Sequence, residues 1–376
     1  MANEIVSVKS IAREVLPRLI DNLVFPNLIH TDYSSDVARG KGDSVLIRKP
    51  VILEAKDFDY VEGIETQDMV EDSVEVKLDK LATVDVQMNS WESITEQDLD
   101  RLFYTPAAVA LAEKINRDGL QLYRDVYNTA GTAGVAPAGL DIFAEAAYKL
   151  DAAKVPFADR RAVWSPASLA NFRKIPDIVN AEKSGSTTAL RSGSIGRIFG
   201  IENYMSQAVA RHTAGSVADA LAGGAITLTV ETIRDNDASR VSLALKASET
   251  INTKGIVRGD ILQIGGENYL VMQDNVAFGS SLEVLLDRVF TGSVGDKVTI
   301  IPSHEAGLVF HPSAFAFVTR PMIAPAGVES YVTSYNGISL RATRGYDMKM
   351  KKEIMSLDVL YGYKTVYPEL ALRVLG

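Results

Sequence analysis

Side chains that usually carry out catalysis are scarce in this chain. It contains no cysteine, and its four histidines are His30, His212, His304 and His311. Because cysteine is absent, thiol nucleophiles, thiolate metal sites and disulfides are excluded. Segment 304–311 begins like the zinc motif H-E-x-x-H, but Leu308 occupies the position of the second histidine. The sequence therefore predicts no metal site.

Motifs that bind phosphate, activate a serine or bind calcium are also incomplete. Segment 40–42 (GKG) lacks the remaining residues of a Walker A loop, and segment 193–196 (GSIG) does not supply G-x-S-x-G. Segment 235–237 (DND) begins like a calcium loop, but Arg240 and Lys246 replace its glycine and its bidentate glutamate. We therefore expect no catalytic residue, no cofactor and no metal ligand. The pattern favours a protein that works by assembly and not as an enzyme.

Two charged segments are candidates for contacts between subunits. Segment 54–73 carries eight acidic residues against the single base Lys56, and these charges need water or a basic partner. Segment 233–240 is a charged stretch that we predict as a turn between two apolar strands. For each segment, the alternative is a solvated hairpin tip. The candidate contact residues are Glu62, Glu65 and Asp68 in the first segment and Asp235, Asp237 and Arg240 in the second.

The composition indicates a globular protein of more than one module. The chain has 376 residues, of which 47% are hydrophobic and 23% charged, and this balance excludes general disorder. Its length suits two or three domains. No run of about twenty apolar residues occurs, and the first residues do not form a secretory signal. The net charge of −9, from 39 basic and 48 acidic residues, does not predict a face that binds nucleic acid.

The N-terminal part of the chain divides into an arm and a hairpin. In segment 1–40, apolar residues recur at helical spacing around Pro17, and this helix either packs on its own domain or docks on a neighbour. In segment 41–90, alternating apolar residues predict a long two-stranded excursion with strands near 45–53 and 74–88. A hairpin without a covering layer is only marginally stable, which favours a contact with another subunit.

Helices and strands alternate in most of the remaining chain. Segment 91–137 is predicted to be helical, with one helix that begins at Thr105 and ends at Gly131. Segments 138–212 and 304–376 each mix short strands with helices.

Segment 213–303 differs from the residues on either side of it. Its short alternating runs predict six strands that form a small barrel or sandwich. Within it, Arg258-Gly259-Asp260 is interpreted as a hairpin turn, because glycine and aspartate suit turn positions. The chain therefore has the pattern of an α+β body into which an all-β module is inserted.

The order of these segments resembles that of tailed-bacteriophage major capsid proteins, and most closely the short-tailed-phage coat proteins that carry an inserted β-domain. The match spans nearly the whole chain in consistent order. The segments that carry the resemblance are NSW (89–91), SITEQDLDRLF (93–103), AVWSPASLANF (162–172), GSIGRIFGIENYMSQ (193–207), GIVRGDILQIGG (255–266), LVFHPSAFAFVTRPM (308–322) and GISLRATRGYDMKMKKEIMSLDVLYGYKTVYPELALRV (337–374).

The resemblance implies an α+β tailed-phage major capsid fold. Its parts would be an N-terminal arm (1–40), an extended hairpin loop (41–90), a long spine helix of the peripheral domain (91–137), a central and peripheral shell domain (138–212 and 304–376) and an inserted small β-barrel domain (213–303).

The resemblance also implies partners. Members of the family form pentamers and hexamers that assemble with a scaffolding protein and a portal protein into an icosahedral shell around double-stranded DNA. It implies a virion capsid protein, made and assembled in the cytoplasm of a bacterial host, without sequence-specific DNA contact and without a membrane. In the family, an aspartate-rich loop of the inserted domain reaches a neighbouring capsomer through salt bridges, and Asp235, Asp237 and Arg240 occupy the matching place.

Two other functions remain open from the sequence. One is a bacterial encapsulin-like shell of the same fold that stores an enzyme, against which the inserted β-module argues. The other is a soluble enzyme or binding module with an unrecognised site.

Overall fold

The chain divides into two compact units. The first contains residues 1–22, 30–112 and 316–366, and the second contains residues 23–29, 113–315 and 367–376. The computed structural model describes residues 8–31, 44–49, 73–89, 103–180, 191–222, 226–237, 240–248, 255–274, 281–349 and 352–376.

Short helices and many strands make up both units. The α-helices of the described residues are α1 (Val8–Asn22), α2 (Phe25–Leu28), α3 (Thr105–Leu120), α4 (Asp141–Ala152), α5 (Pro166–Phe172), α6 (Pro176–Val179) and α7 (Ser216–Ala222). Short 3₁₀ helices span Gln121–Asp125, Pro312–Ala314 and Pro368–Leu370. In this described part of the chain, no helix combines the length and apolarity needed to cross a bilayer.

The strands are numbered in chain order. They are β1 (Ser44–Arg48), β2 (Ser73–Lys77), β3 (Lys80–Asn89), β4 (Thr129–Gly131), β5 (Arg160–Trp164), β6 (Arg197–Ile198), β7 (Ile201–Met205), β8 (Arg211–His212), β9 (Leu228–Asp237), β10 (Arg240–Ala247), β11 (Ile261–Ile264), β12 (Glu267–Leu270), β13 (Ser281–Leu286), β14 (Lys297–Ile300), β15 (His304–Phe310), β16 (Phe315–Thr319), β17 (Glu329–Tyr335), β18 (Ile338–Asp347), β19 (Lys352–Thr365) and β20 (Ala371–Leu375).

In the first unit, α1 packs on a five-stranded sheet. Four strands have the order β16-β19-β18-β17, and β3 also pairs with β19. The helix contacts β17 and β18, and its apolar stripe of Ile11, Val15 and Leu19 is buried. The helix runs through Pro17. Of the two interpretations of the arm, the structure therefore shows the helix packed on its own chain.

The predicted long hairpin differs from the structure in its second strand. β1 pairs with β2 from Ser44↔Lys77 to Arg48↔Ser73, whereas β3 pairs with β19. The prediction of one strand over 74–88 is wrong, because period-two alternation identifies a strand without identifying its partner.

Gly362 allows β2 and β19 to approach each other closely. A Cβ atom at this position would lie 2.2 Å from the carbonyl oxygen of Lys77. Because any larger residue would collide with that oxygen, glycine is required where the end of β2 meets β19.

The helix predicted to end at Gly131 is shorter than expected. α3 begins at Thr105 and ends at Leu120. The chain continues as a 3₁₀ helix, and Thr129–Gly131 then forms β4, parallel to β20. Leu122 and Val126 keep helical spacing, so the local pattern does not reveal the pairing with a strand at the far end of the chain. Residues 91–102 of the segment predicted as helical lie outside the described part.

The second unit is built on a mixed sheet of order β4-β20-β15-β5-β7-β6, with β8 paired to β15. Its core includes Trp164, whose ring centroid lies 5.2 Å from that of Phe143 and 4.9 Å from that of Phe172. β5 and the helix after it were both predicted. Ser165 caps α5 as expected, since its Oγ accepts a hydrogen bond from Ser168 N at 3.2 Å.

The six strands of segment 228–300 form a separate sheet of order β12-β11-β14-β9-β10-β13. Its two end strands meet, because Met272 N donates to Leu285 O at 2.9 Å and Asp287 N donates to Leu270 O at 3.2 Å. The sheet therefore closes into a barrel, which encloses its own cluster of buried apolar side chains.

Candidate assembly site

The charged segment 233–240 forms the end of the β9–β10 hairpin. β9 extends to Asp237, β10 begins at Arg240, and these two residues are register partners. The segment is therefore mostly strand and not the predicted turn. The prediction is wrong because the stretch lacks the apolar alternation from which strands were predicted. The structure describes the backbone of Asp237 and Arg240 but not their side chains.

Side chains near this hairpin end pair with other parts of the barrel. Arg234 Nη1 lies 2.7 Å from Glu283 Oε2 on β13, and Ser242 Oγ donates to Asp235 Oδ2 at 3.3 Å. The hairpin is thus held by its own strand partner and by β13.

Asn236 adds a second attachment for the hairpin. Its Nδ2 donates to Phe290 O at 2.9 Å, and its Oδ1 accepts from Phe290 N at 2.8 Å. Two reciprocal hydrogen bonds therefore attach β9, at Asn236, to the loop after β13. The other predicted contact residues, Glu62, Glu65 and Asp68, lie outside the described residues.

The strands on either side of segment 213–303 pair with each other. β8 ends at His212, β15 begins at His304, and these two residues are partners in an antiparallel pair. Their imidazole centroids are 5.5 Å apart. We call the region around His212, His304 and the turn 257–260 the root of the barrel.

The root is built around a buried carboxylate, Asp260. Its Oδ1 accepts from His212 Nε2 at 2.8 Å, and its Oδ2 accepts from Gly215 N at 3.2 Å and Val257 N at 2.8 Å. Because a carboxylate only accepts, Nε2 of His212 carries the proton. Nδ1 of His212 is then an acceptor, and Tyr123 Oη donates to it at 3.2 Å.

A buried arginine lies beside this carboxylate. Arg373 donates from Nη1 to Gly259 O at 2.8 Å, and its guanidinium lies 4.6 Å from the centre of the Tyr123 ring. Burial lowers the pKa of Arg373 to about 10, so the side chain stays charged at neutral pH. The negative charge of Asp260 stabilises this buried cation.

Burial keeps both histidines of the root neutral. It lowers the pKa of His304 to about 3, and the positive charge of Arg373 acts in the same direction. It also lowers the pKa of His212, although the hydrogen bond to Asp260 opposes this effect. Neutral imidazoles avoid like-charge repulsion with the buried arginine.

Further contacts hold the barrel on the central sheet. Asn268 Nδ2 donates to Thr129 Oγ1 at 2.9 Å, and Arg258 Nη2 lies 2.9 Å from Asp125 Oδ1. An apolar cluster also joins the two parts, and its buried members are Ile261, Leu270, Ile301 and Leu375. The barrel is therefore docked on the body as well as tethered to it.

The root was not predicted from the sequence. The turn at Arg258-Gly259-Asp260 is present, with Gly259 at φ 91°, but the role of Asp260 depends on His212, which lies 48 positions away. The sequence did contain a hint of the root, because a histidine flanks each end of segment 213–303. In the ranges that the structure describes, no group of three or more histidine and acidic side chains is arranged for a metal ion.

Comparisons with known proteins place the fold. No family model and no curated protein matches the chain. A structure from Mycobacterium phage Che8 is similar at 17% identity and a TM-score of 0.52, over 94% of this chain and 90% of that chain. The capsid structure of Cyanophage P-SCSP1u has 12% identity and a TM-score of 0.46, over 89% and 84% of the two chains. The bacteriophage PhiM1 mature capsid has 11% identity and a TM-score of 0.46, over 89% and 82%.

The structures of Cyanophage P-SCSP1u and bacteriophage PhiM1 are both described as capsids. The chain has the fold of a tailed-phage major capsid protein. This agrees with the resemblance seen in the sequence. At these low identities the likeness concerns the fold alone.

Proposed function

We propose that this chain is the major subunit of an icosahedral phage shell that encloses double-stranded DNA. The observation that carries the proposal is the fold shared with Mycobacterium phage Che8 over 94% of this chain. The incomplete catalytic motifs of the sequence agree with a structural role. The predominance of phage capsids among the neighbours favours a viral shell over an encapsulin-like container.

Assembly of the purified protein tests this proposal. Coexpression with a candidate scaffolding protein should give closed particles built from five- and sixfold rings, visible by negative-stain electron microscopy. A chain that stays monomeric at high concentration with scaffold present would contradict the proposed function.

We infer the parts of the subunit from the elements that the structure describes. The β1–β2 pair supports an extended loop within 41–90, and α3 supports a spine helix within 91–137. The closed barrel and the pairing of His212 with His304 support an inserted domain over 213–303. The remaining parts are the arm (1–40) and the shell domain (138–212 and 304–376).

The β9–β10 hairpin is our candidate for a contact between capsomers. Asp235, Asp237 and Arg240 place acids and a base on the same two paired strands, so two copies related by a twofold axis can pair acid to base in both directions. One exposed ion pair contributes only about 0–1 kcal/mol, but the contact repeats across the whole shell.

A charge reversal tests the hairpin contact. Asp237→Lys should leave the melting temperature of the subunit almost unchanged and produce tubes or aberrant particles in place of closed shells. Glu231→Lys, on the same strand, is the matched control because it changes the net charge equally. Normal particles at normal yield from the Asp237 variant would contradict the contact.

The acidic segment 54–73 is our second candidate contact. We propose that Glu62, Glu65 and Asp68 bind a basic surface of a neighbouring subunit, because eight acids beside a single lysine repel one another without a partner. Replacing these three acids by their amides should lower the yield of closed particles, whereas the same change at Glu54, Asp57 and Asp59 serves as the control. Equal yields from both variants would argue for a solvated tip.

The shell function implies further partners. We propose that the subunit works with scaffolding and portal proteins in the cytoplasm of a bacterial host. The net charge of −9 supports packaging of DNA without sequence-specific contact, since a wall of many such subunits repels the genome on average.

A further inference from the structure

Three polar atoms at the root of the barrel have no hydrogen-bond partner in the described part of the chain. They are Nε and Nη2 of Arg373 and Nε2 of His304. Arg373 is 0% exposed and His304 is 1% exposed. Bulk water therefore does not reach these atoms, and each one left unpaired would cost about 1–3 kcal/mol.

The hydrogen bonds of His304 fix the role of its free nitrogen. Nδ1 lies 2.7 Å from the carbonyl oxygen of Pro302, and a carbonyl oxygen can only accept. Nδ1 therefore carries the proton, and Nε2 of the neutral ring presents a lone pair.

The unpaired atoms of Arg373 are hydrogen-bond donors, unlike Nε2 of His304. The arginine donates from Nη1 to Gly259 O. Its Nε and Nη2 form the other edge of the guanidinium, with two nearly parallel N–H bonds. The unpaired set is therefore two donors and one acceptor.

The side chains that carry these atoms belong to one packed cluster. The rings of His212 and His304 are 5.5 Å apart, those of Tyr123 and His212 are 5.6 Å apart, and the Arg373 guanidinium lies over the Tyr123 ring. The charge of Arg373 also acts on His304.

The other charged and titratable groups that face the cluster are engaged elsewhere. Asp260 accepts from His212 and from two backbone N–H groups. Tyr123 donates to His212 and accepts from Arg124 Nε at 3.3 Å. None of them forms a hydrogen bond with the three unpaired atoms.

We propose that Arg373 and His304 hold one buried water molecule between them. A water accepts from the two N–H groups of Arg373 and donates one O–H to Nε2 of His304. These are three hydrogen bonds, the number typical of a buried water. A halide would accept from Arg373 but has no proton for His304, so the mixed set selects water over an anion.

The bound water positions the barrel. It holds the Nε–Nη2 edge of the Arg373 guanidinium, while Nη1 donates to the carbonyl of Gly259 in the turn of the root. The site thus links β20 of the body to the inserted segment. It depends only on the geometry of the root and stands whether or not the chain forms a shell.

A structure of the full chain at a resolution that shows ordered waters tests the proposal. We expect density for a single atom within hydrogen-bonding distance of all three nitrogens. Direct contact between the two side chains, polyatomic density, or anomalous density there after a bromide soak would overturn it.

Nuclear magnetic resonance of the ¹⁵N-histidine-labelled full chain gives a second test, since only four histidines contribute signals. His304 should be the Nδ1–H tautomer with a hydrogen-bonded Nε2 and a cross-peak to a long-lived water. Arg373→Lys removes the N–H edge and should abolish that cross-peak, while Pro302 keeps the tautomer. An Nε2–H tautomer in the unmodified chain would overturn the proposal, even if the variant fails to fold.

Discussion

Acidification should weaken the fold through His304. Its pKa is about 3 in the folded chain and 6.5 as the reference value for an exposed histidine. The unfolded chain therefore binds a proton first as the pH falls. The contribution of His304 to the free energy of unfolding is complete above pH 6.5 and is lost progressively between 6.5 and about 3.

The size of this loss follows from the two pKa values. Each pKa unit corresponds to about 1.4 kcal/mol, so between about pH 7.5 and about pH 5 the protonation of His304 in the unfolded chain should remove roughly 2 kcal/mol. His212 acts in the same direction, because its pKa is also lowered. Asp287 acts in the opposite direction, because burial raises its pKa.

A variant separates His304 from these other groups. His304→Gln removes the titrating ring but keeps an amide that can donate to Pro302 O. Urea unfolding of the isolated subunit at both pH values should show a loss smaller by roughly 2 kcal/mol in the variant than in the parent chain.

Equal losses in the parent and in the His304 variant would refute the reasoning. That result would mean that the ring is either protonated or water-exposed in the folded root. The comparison does not depend on the absolute stability of the variant, because only the difference between the two pH values is used.

Three further predictions follow from the packing. Gly362→Ala should destabilise the subunit by at least about 1–3 kcal/mol in urea unfolding, because the new methyl group collides with Lys77 O. Gly345→Ala is the control, because its methyl group meets only Val328 at an ordinary 3.8 Å. Equal losses of stability in the two variants would contradict the close approach at Gly362. Ser165→Ala should cost about 1 kcal/mol by loss of the helix cap, and an unchanged midpoint would remove that role. Segment 213–303 expressed alone should give a β-type circular dichroism spectrum and a cooperative melt, and a random-coil spectrum would show that its boundaries are wrong.

Sequence patterns predicted those elements whose structure is determined by residues close together in the chain. The six barrel strands follow from alternation, and the start of α5 follows from Ser165 with Pro166. The errors occur where a distant partner decides. β3 leaves the hairpin because β19 pairs with it, and residues 129–131 become a strand because β20 lies beside them.

For the same reason, the root could not be predicted from residues that are neighbours in the sequence. Its carboxylate, its arginine and its two histidines come from β8, β15, β20 and the turn before β11. Only the closed fold brings them together. Of the candidate contact residues, the structure describes the side chain of Asp235 alone, so Asp237 and Arg240 remain predictions made from their place on the hairpin.

The pairing of β8 with the first residues of β15 affects which insertions the chain can accept between these two strands. Because the strands that enter and leave the barrel are neighbours, a short reverse turn from His212 to His304 could replace everything between them and preserve the pairing of the central sheet. Any module whose ends lie about 5 Å apart could take the same place. Positions 212 and 304 therefore mark a place where segments of different length can be exchanged without a change in the pairing of the central sheet.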